Sequence, residues 1–363
     1  MEKKTLQYLP HELIIKILLR LPGKSLICFK CVSKLWYSLI SNPHFANLNF
    51  QLATHTRRIM CVSNSPTEFC SIDFEAFLNY DPHPVSFNIN FSLPRFRFPV
   101  EINGSCRGFI CLYSRPNIFI WNPSTGFKKQ IPLSPFVSKV VTNHIYGFGY
   151  DRSRDDYLVV VLSNDPTVAN NVVSSHLEFF SIRDNRWKEI EGPHSPYDGY
   201  NGKGLLFNGA IHWLAGRLNI KIDVIVAFDL MDRKLFEIPL PDYFHQVSVF
   251  DMWVFGEFFS LWARDCRKGT IEVWVMKEYK LNSSWTKTLV LPLSNFSIFN
   301  PICSNNNGDI IGTSQWSRLV KSNNKGQPLE FRSFRNGPHD IVMYTESLLS
   351  LPGDNEQYYK VED

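Results

Sequence analysis

Gly104-Ser105-Cys106-Arg107-Gly108-Phe109-Ile110-Cys111-Leu112, followed by Ile120-Trp121-Asn122, reads as strand, tight turn and strand, then a third strand that ends on a large aromatic before a polar turn. Gly108 supplies a turn conformation that side chains resist, and short apolar runs between turn residues are strand signals. The opening element recurs as Asn208-Gly209-Ala210-Ile211, Phe255-Gly256-Glu257-Phe258 and Asn307-Gly308-Asp309-Ile310. The closing element recurs as Phe180-Ser181, Phe228-Asp229, Val273-Trp274 and, more weakly, Phe331-Arg332. The closing aromatics Trp121, Phe180, Phe228, Trp274 and Phe331 stand 59, 48, 46 and 57 residues apart. A period of about 50 residues with several strands per unit predicts the blades of a β-propeller, each aromatic filling the space between neighbouring blades.

Five units fit between residues 100 and 340. A sixth is expected from residues 56–100 paired with Asp340-Ile341-Val342-Met343-Tyr344, so that strands from both ends close the ring and remove the exposed sheet edge. The alternative is a β-sandwich-like repeat domain whose spacing is accidental. The composition suits either: 14% aromatic residues, with 22 Pro and 19 Gly, favour many short strands joined by turns.

The first 45 residues differ in kind. Pro10 suits a first helical turn, Glu12 sits near the positive end of the helix dipole, and Leu13, Ile14, Ile17, Leu18 and Leu21 form one wide apolar stripe up to Leu21-Pro22-Gly23. A second helix carries Leu26, Phe29 and Val32 behind a Ser25 cap. A third carries Trp36, Leu39 and Ile40 behind a Ser33 cap and is stopped by Asn42-Pro43. Leu19, Ile27 and Trp36 widen the apolar surface beyond the needs of a three-helix core. So small a unit buries too little of its own surface to stand alone; it either docks on a partner or caps the domain that follows.

Residues 1–50 hold seven Lys/Arg and two acids, a net of +5, while the other 31 bases and 32 acids net −1. These charges are single residues along helices, without clustering or interleaved aromatics, so the expectation is steering toward an acidic protein partner and no nucleic acid. Leu13–Leu21 is interrupted by Lys16 and Arg20 and makes no secretory signal. No run approaches the roughly 20 apolar residues of a membrane span. No membrane partner is expected, and the eight cysteines are expected as free thiols in a cytoplasmic and/or nuclear chain.

The N-terminal residues carry a resemblance. Leu9-Pro10-x-Glu12-Leu13-Ile14-x-x-Ile17-Leu18-x-x-Leu21-Pro22-x-Lys24-Ser25-Leu26, then Phe29-Lys30-Cys31-Val32-Ser33-Lys34-x-Trp36, resembles a complete F-box. Gly104–Leu112, Trp121-Asn122-Pro123-Ser124-Thr125, Tyr146-Gly147-Phe148-Gly149-Tyr150-Asp151 and Asn208-Gly209-Ala210-Ile211-His212-Trp213-Leu214 resemble the F-box-associated, kelch-like domain of plant F-box proteins, although the kelch Gly-Gly pair is absent. The resemblance implies an F-box domain over 1–50, a linker and first β unit over 51–99, the associated β domain over 100–350 and a polar tail over 351–363. It implies that Leu9, Pro10, Ile14, Ile17, Leu21, Pro22, Leu26, Val32 and Trp36 line the adaptor-facing or core surface. Gly108, Trp121, Phe180, Gly209, Trp213, Phe228, Gly256, Trp274 and Gly308 would be the structural residues of the repeat. The implied partners are the Skp-type adaptor of an SCF (Skp–cullin–F-box) ubiquitin ligase, through it a cullin and a RING subunit, and an unidentified target protein.

Other constellations are weaker. Cys28 and Cys31 lack the second pair that a structural zinc site needs and are expected as small buried side chains. His212 is expected as a packed, hydrogen-bonded histidine. Asp151-Arg152-Ser153-Arg154-Asp155-Asp156 lacks the glycine and final glutamate of a Ca²⁺ loop. No metal, cofactor or catalytic residue is assigned. The aromatic-rich segments Ser195–Tyr200, Tyr243–His245 and Trp262–Arg267 are candidate target loops, and Ser322–Gln327 is expected as a flexible loop. Two further functions stay open: a propeller enzyme or ligand-binding propeller with a helical cap, and an F-box scaffold acting outside the ligase.

Overall fold

The computed structural model describes residues 9–52, 57–64, 67–78, 86–89, 98–135, 144–165, 174–190, 197–199, 203–217, 222–247, 249–292, 299–305, 307–314, 318–333 and 338–353. Four helices come first: α1 (His11–Leu18), α2 (Gly23–Phe29), α3 (Lys34–Ser41) and α4 (Pro43–Leu52). Ser33 caps α3 as expected, its Oγ accepting from Trp36 N at 3.2 Å. Two expectations change. Ser25 lies inside α2, which already begins at Gly23 after Pro22. Asn42-Pro43 ends α3 but also starts α4, because Pro43 fits a first helical position and Asn42 Oδ1 accepts from His44 N (2.8 Å) and Phe45 N (3.4 Å). Asn49 of α4 is buried and donates to the carbonyls of Leu19 (3.1 Å) and Leu21 (3.3 Å), tying α4 to the end of α1.

The body is six antiparallel sheets arranged as a six-bladed β-propeller. Blade 1 runs Glu101–Cys106, Phe109–Ser114, Asn117–Trp121, Lys128–Ile131 from the axis outward, and blade 2 runs His144–Asp151, Asp156–Asp165, Ser174–Ser181, Arg186–Glu189. In blade 3 the inner strand is split into Tyr197–Gly199 and Leu205–Phe207, both paired to Ala210–Arg217, before Ile222–Asp229 and Lys234–Pro239. Blade 4 takes Val249–Phe255, Phe258–Asp265, Thr270–Met276 and Trp285–Pro292; blade 5 takes Phe299–Ser304, Ile310–Ser314, Arg318–Ser322 and Pro328–Ser333.

Blade 6 closes the ring from both ends of the chain. The late strand Asp340–Thr345 is innermost and pairs with Arg57–Asn64 (Arg57 opposite Thr345, Val62 opposite Asp340), followed by Thr67–Asp73 and Ser86–Ile89. A buried network holds this closure. Arg58 Nε donates to Ser71 Oγ at 2.6 Å, Ser71 Oγ lies 2.8 Å from Tyr344 Oη, and Arg58 faces Asp73 and Glu346 at 3.4 and 3.6 Å.

Apolar clusters fill each gap between blades. Trp121 packs with Phe69, Val100 and Tyr344 between blades 6 and 1. Phe180 packs with Phe109 and Tyr157 between blades 1 and 2, and Phe228 with Leu158 and Val160, alongside Trp213, between blades 2 and 3. Trp274 lies between blades 3 and 4, half-buried and stacked on Tyr243 at 5.7 Å. All four occupy third strands and face the preceding blade, which is why their spacing repeats. Phe331 breaks the rule: it lies in the fourth strand of blade 5 opposite Val320, and Val320 holds the inter-blade position. The glycines at the first turns adopt positive φ: Gly108 (84°), Gly209 (75°), Gly256 (61°) and Gly308 (80°). Gly108 is doubly constrained, since a Cβ there would meet Ser347 Cβ at 2.0 Å.

Candidate functional site

Antiparallel strands alternate direction, so the turns joining strands one to two and three to four of every blade share one face of the disc. In blade 6 the turn between the first two strands is replaced: the chain leaves Thr345 on that face, and α4 leads into Arg57 there. The helical unit therefore sits on this face. Arg107, in the first turn of blade 1, donates to Asn47 Oδ1 at 3.1 Å and stacks on Phe50 at 5.2 Å and Tyr150 at 4.3 Å. Residues 346–351 run as a strap beneath the helices. Asn122 Nδ2 donates to the carbonyls of Ser347 (3.0 Å) and Leu349 (3.3 Å), and Ser347 N donates to Ser124 Oγ at 3.1 Å. Leu348, Leu349 and Leu351 join Leu18, Leu26, Ile40, Phe45 and Ala46 in one core continuous with blades 1 and 2. Glu346 is buried beside Gly23; burial raises its carboxyl above the ordinary carboxylate range, against the opposing charge of Arg58.

The wide stripe of α1 is thereby divided. Leu18 is buried and Ile14 and Leu21 are half-buried against the core, whereas Leu9, Leu13 and Ile17, four residues apart, stand 58%, 44% and 51% exposed. Val32, Leu35 and Tyr37 around the start of α3 are 60%, 57% and 57% exposed. Of the nine residues expected to line the adaptor or core surface, Leu9, Pro10, Ile17, Pro22 and Val32 face solvent; Ile14, Leu21 and Trp36 are half-buried; Leu26 is fully buried and is a core residue, out of a partner's reach. Trp36 is fixed edge-on to Phe29 at 5.4 Å. The exposed Leu35 and Tyr37 escape the sequence reading because the motif directs attention to Trp36 between them. Lys16, Arg20, Lys24 and Lys34 are exposed on the same helices; Lys30 is half-buried over Tyr37, and burial lowers its pKa. An apolar surface rimmed by lysine and arginine favours a partner that is apolar at its centre and acidic at its edge.

The opposite face carries the turns between second and third strands and the connections from blade to blade. Of the candidate target loops, Ser195, Pro196 and Tyr200 lie outside the described residues, and Tyr197–Gly199 is an inner strand. Tyr243–His245 falls in a 3₁₀ turn whose Phe244 is buried. Trp262 is a buried strand residue between blades 4 and 5, so the exposed part of its segment begins at Cys266. Ser322–Gln327 is a hydrogen-bonded turn instead of a flexible loop: Asn323 Oδ1 accepts from Lys325 N and Gln327 N at 3.0 and 2.9 Å.

The axis holds a cavity of about 610 Å³ lined by inner strands, among them Met252, Ile302, Ile341 and Met343. Lys203 in its wall is ion-paired with Asp340, whose carboxylate also accepts from Ile102 N and Ile341 N at 2.7 Å each. His212 lies apart from this cavity, fully buried; Nδ1 is 3.1 Å from the Leu205 carbonyl, Nε2 is 2.8 Å from Tyr279 Oη, and burial lowers its pKa to about 4. Asp151 is a buried residue at the end of the inner strand of blade 2 that bridges blades, 2.9 Å from Arg154 and 2.7 Å from Arg233. Burial pushes its pKa up, but the Ser153 and Arg154 hydrogen bonds and the Arg233 charge outweigh that and hold it below the usual range. Cys28 and Cys31 are exposed, contrary to expectation. Among the described residues no three His, Cys, Asp or Glu side chains group as a metal site, and no helix is long and apolar enough to cross a membrane.

Comparison with known proteins bears on both halves. Residues 6–48 match the family model described as "F-box domain", and residues 58–326 match "F-box associated beta propeller domain". The chain is similar to three Arabidopsis thaliana proteins: "F-box/kelch-repeat protein At3g23880" (29% identical, covering 78% of this chain and 79% of that one), "Putative F-box protein At3g16210" (30%, 80% and 76%) and "F-box protein CPR1" (26%, 81% and 76%).

Proposed function

Because the chain belongs to the F-box proteins that carry an F-box associated beta propeller domain, we propose that it is the non-catalytic substrate-recognition subunit of an SCF-type ubiquitin ligase. One observation carries the reading: seven of the fifteen exposed large apolar side chains among the described residues lie between Leu9 and Leu52. A helical unit already seated on a propeller has no internal need for Leu9, Leu13, Ile17, Val32, Leu35 and Tyr37 at its surface, and an exposed patch of this kind marks a docking site. The Skp-type adaptor would take that patch, bringing cullin and RING subunits with it. The target would take the far face of the disc, where the blade-to-blade connections project. The chemistry is proximity: a rigid junction raises the effective concentration of target lysines at the charged conjugating enzyme. The same reading puts the chain in the cytoplasm, the nucleus or both.

The test is co-purification of a plant Skp-type adaptor and its cullin with the full chain and with a Leu13→Asp, Ile17→Asp variant. Capture of both by the wild type and of neither by the folded variant supports the proposal. No capture by the wild type refutes it. Capture of adaptor without cullin moves the function to a scaffold outside the ligase.

A further inference from the structure

Cys28 and Cys31 have no part in the core and none in the docking argument so far, yet both are exposed. Cys28 lies on the last turn of α2, and Cys31 follows its end, with Cys31 N donating to the Cys28 carbonyl at 3.2 Å. One helical turn separates Cα atoms three residues apart by about 5 Å, inside the span of a disulfide. Two thiols fill only half of a tetrahedral metal site, so metal is the weaker use of this pair. We propose that Cys28 and Cys31 form a reversible disulfide with each other, a covalent modification site that weakens docking on the adjacent apolar surface; the second half rests on the adaptor-binding role proposed above.

The exchange with a small disulfide such as oxidised glutathione balances without further reactants. One cysteine thiolate attacks a glutathione sulfur and expels glutathione thiolate, leaving a mixed disulfide. The second cysteine, as thiolate, attacks the protein sulfur of that bond and expels the second glutathione. Two protein thiols are oxidised, one disulfide is reduced to two thiols, and the two protons pass to the departing thiolates.

The consequence for docking follows from distance. Cβ atoms three apart on a helix stand about 5–6 Å from one another, whereas a disulfide holds them at about 3.5–4.5 Å. Closing that gap tightens the turn at residues 30–32, which sets the position of the exposed Val32 and the start of α3 with Leu35. A bond made against local geometry is also readily reduced, as a reversible modification requires.

The test equilibrates the full chain with graded ratios of oxidised to reduced glutathione, blocks free thiols by alkylation, and digests with trypsin without reduction. Cleavage at Lys24, Lys30 and Lys34 places the two cysteines in different peptides, Ser25–Lys30 and Cys31–Lys34, so the internal bond appears as a linked pair two hydrogens lighter than their sum. That species is expected, abolished in Cys28→Ser and in Cys31→Ser, together with adaptor affinity reduced at least about tenfold, a change of about 1.4 kcal/mol, and restored by dithiothreitol. Glutathione adducts alone, or chains linked to one another, overturn the proposal. A linked pair with unchanged adaptor affinity overturns the docking half. A reduced chain that never binds adaptor refutes the ligase role and with it the effect on docking, while the linked peptide still decides whether the modification exists.

Discussion

Ile17 and Leu18 are neighbours on one helix with opposite burial, 51% and 1% exposed, and substituting each separates docking from folding. In Leu18→Ala, the lost side chain comes from the core that joins helices, strap and blades, at a cost of about 2–5 kcal/mol to stability. In Ile17→Asp the helix loses little, since both residues are middling helix formers and surface changes usually stay within about 0.5 kcal/mol. Docking is another matter. Covering the exposed half of the isoleucine is worth about 1 kcal/mol on the scale of a buried aliphatic side chain, and burying an unpaired carboxylate costs at least about 2 kcal/mol more. The sum of about 3 kcal/mol is a loss on the order of a hundredfold in adaptor affinity. Urea titration gives the stability and calorimetric titration with purified adaptor gives the affinity. The expected pattern is crossed: Ile17→Asp folds normally and fails to bind, while Leu18→Ala binds when folded but unfolds at lower urea. An Ile17→Asp chain that binds like the wild type would falsify the placement of the docking surface, whatever Leu18→Ala does.

Gly108→Ala and Gly209→Ala share positive φ values of 84° and 75°, but only the first would drive a Cβ into Ser347. Gly209→Ala is expected to cost about 1 kcal/mol and Gly108→Ala at least about twice that, read as urea midpoints; equal costs would mean that the strap does not lie against the first turn of blade 1. Arg58→Ala leaves Glu346 buried without its charge partner and is expected to cost about 3–5 kcal/mol, with limited proteolysis showing the closing strand released first. The imidazole of His212 binds fewer protons folded than unfolded between its lowered pKa of about 4 and its ordinary value near 6.5. Stability therefore rises with pH across that window and is lost on acidification, by about 3 kcal/mol over the whole of it; His212→Gln should flatten the curve of stability against pH, and an unchanged slope would assign the acid sensitivity elsewhere.

The propeller was legible because its repeat lies in residues with one physical task. Trp121, Phe180 and Phe228 each plug the gap to the preceding blade, and Gly108, Gly209, Gly256 and Gly308 each turn between the first two strands. The periodicity fails where that task passes to another residue type: Val320 does in blade 5 what an aromatic does elsewhere, and Phe331, which keeps the spacing in sequence, lies on the next strand opposite it. On α1 the limit is of another kind. A stripe spanning Leu9, Leu13, Ile14, Ile17, Leu18 and Leu21 is wider than one buried face needs, which announces a second partner; periodicity alone does not say which half meets it. The core that Leu18 shares with the other helices and with Leu348, Leu349 and Leu351 of the strap, and against which Ile14 packs, shows which half turns inward. The cysteines mislead for a related reason: Cys28 stands between Ile27 and Phe29, but it falls on a side of α2 away from the buried Leu26, and Cys31 lies past the helix end, so both thiols are exposed.

Closing the ring from both ends does more than remove an exposed sheet edge. It places the start of Arg57–Asn64 and the end of Asp340–Thr345 side by side on one face, and the segments leaving them, α4 and the strap, are packed together within the same core. The helices therefore sit on a seat built from residues more than two hundred positions apart in sequence, Ser124 against Ser347 for instance, and that seat exists only once blade 6 has formed. A chain whose ring is open loses the fixed direction of its docking surface along with its target face. For a protein whose proposed chemistry is to hold two partners at a set distance, that coupling excludes a half-folded receptor that recruits the ligase without presenting a target.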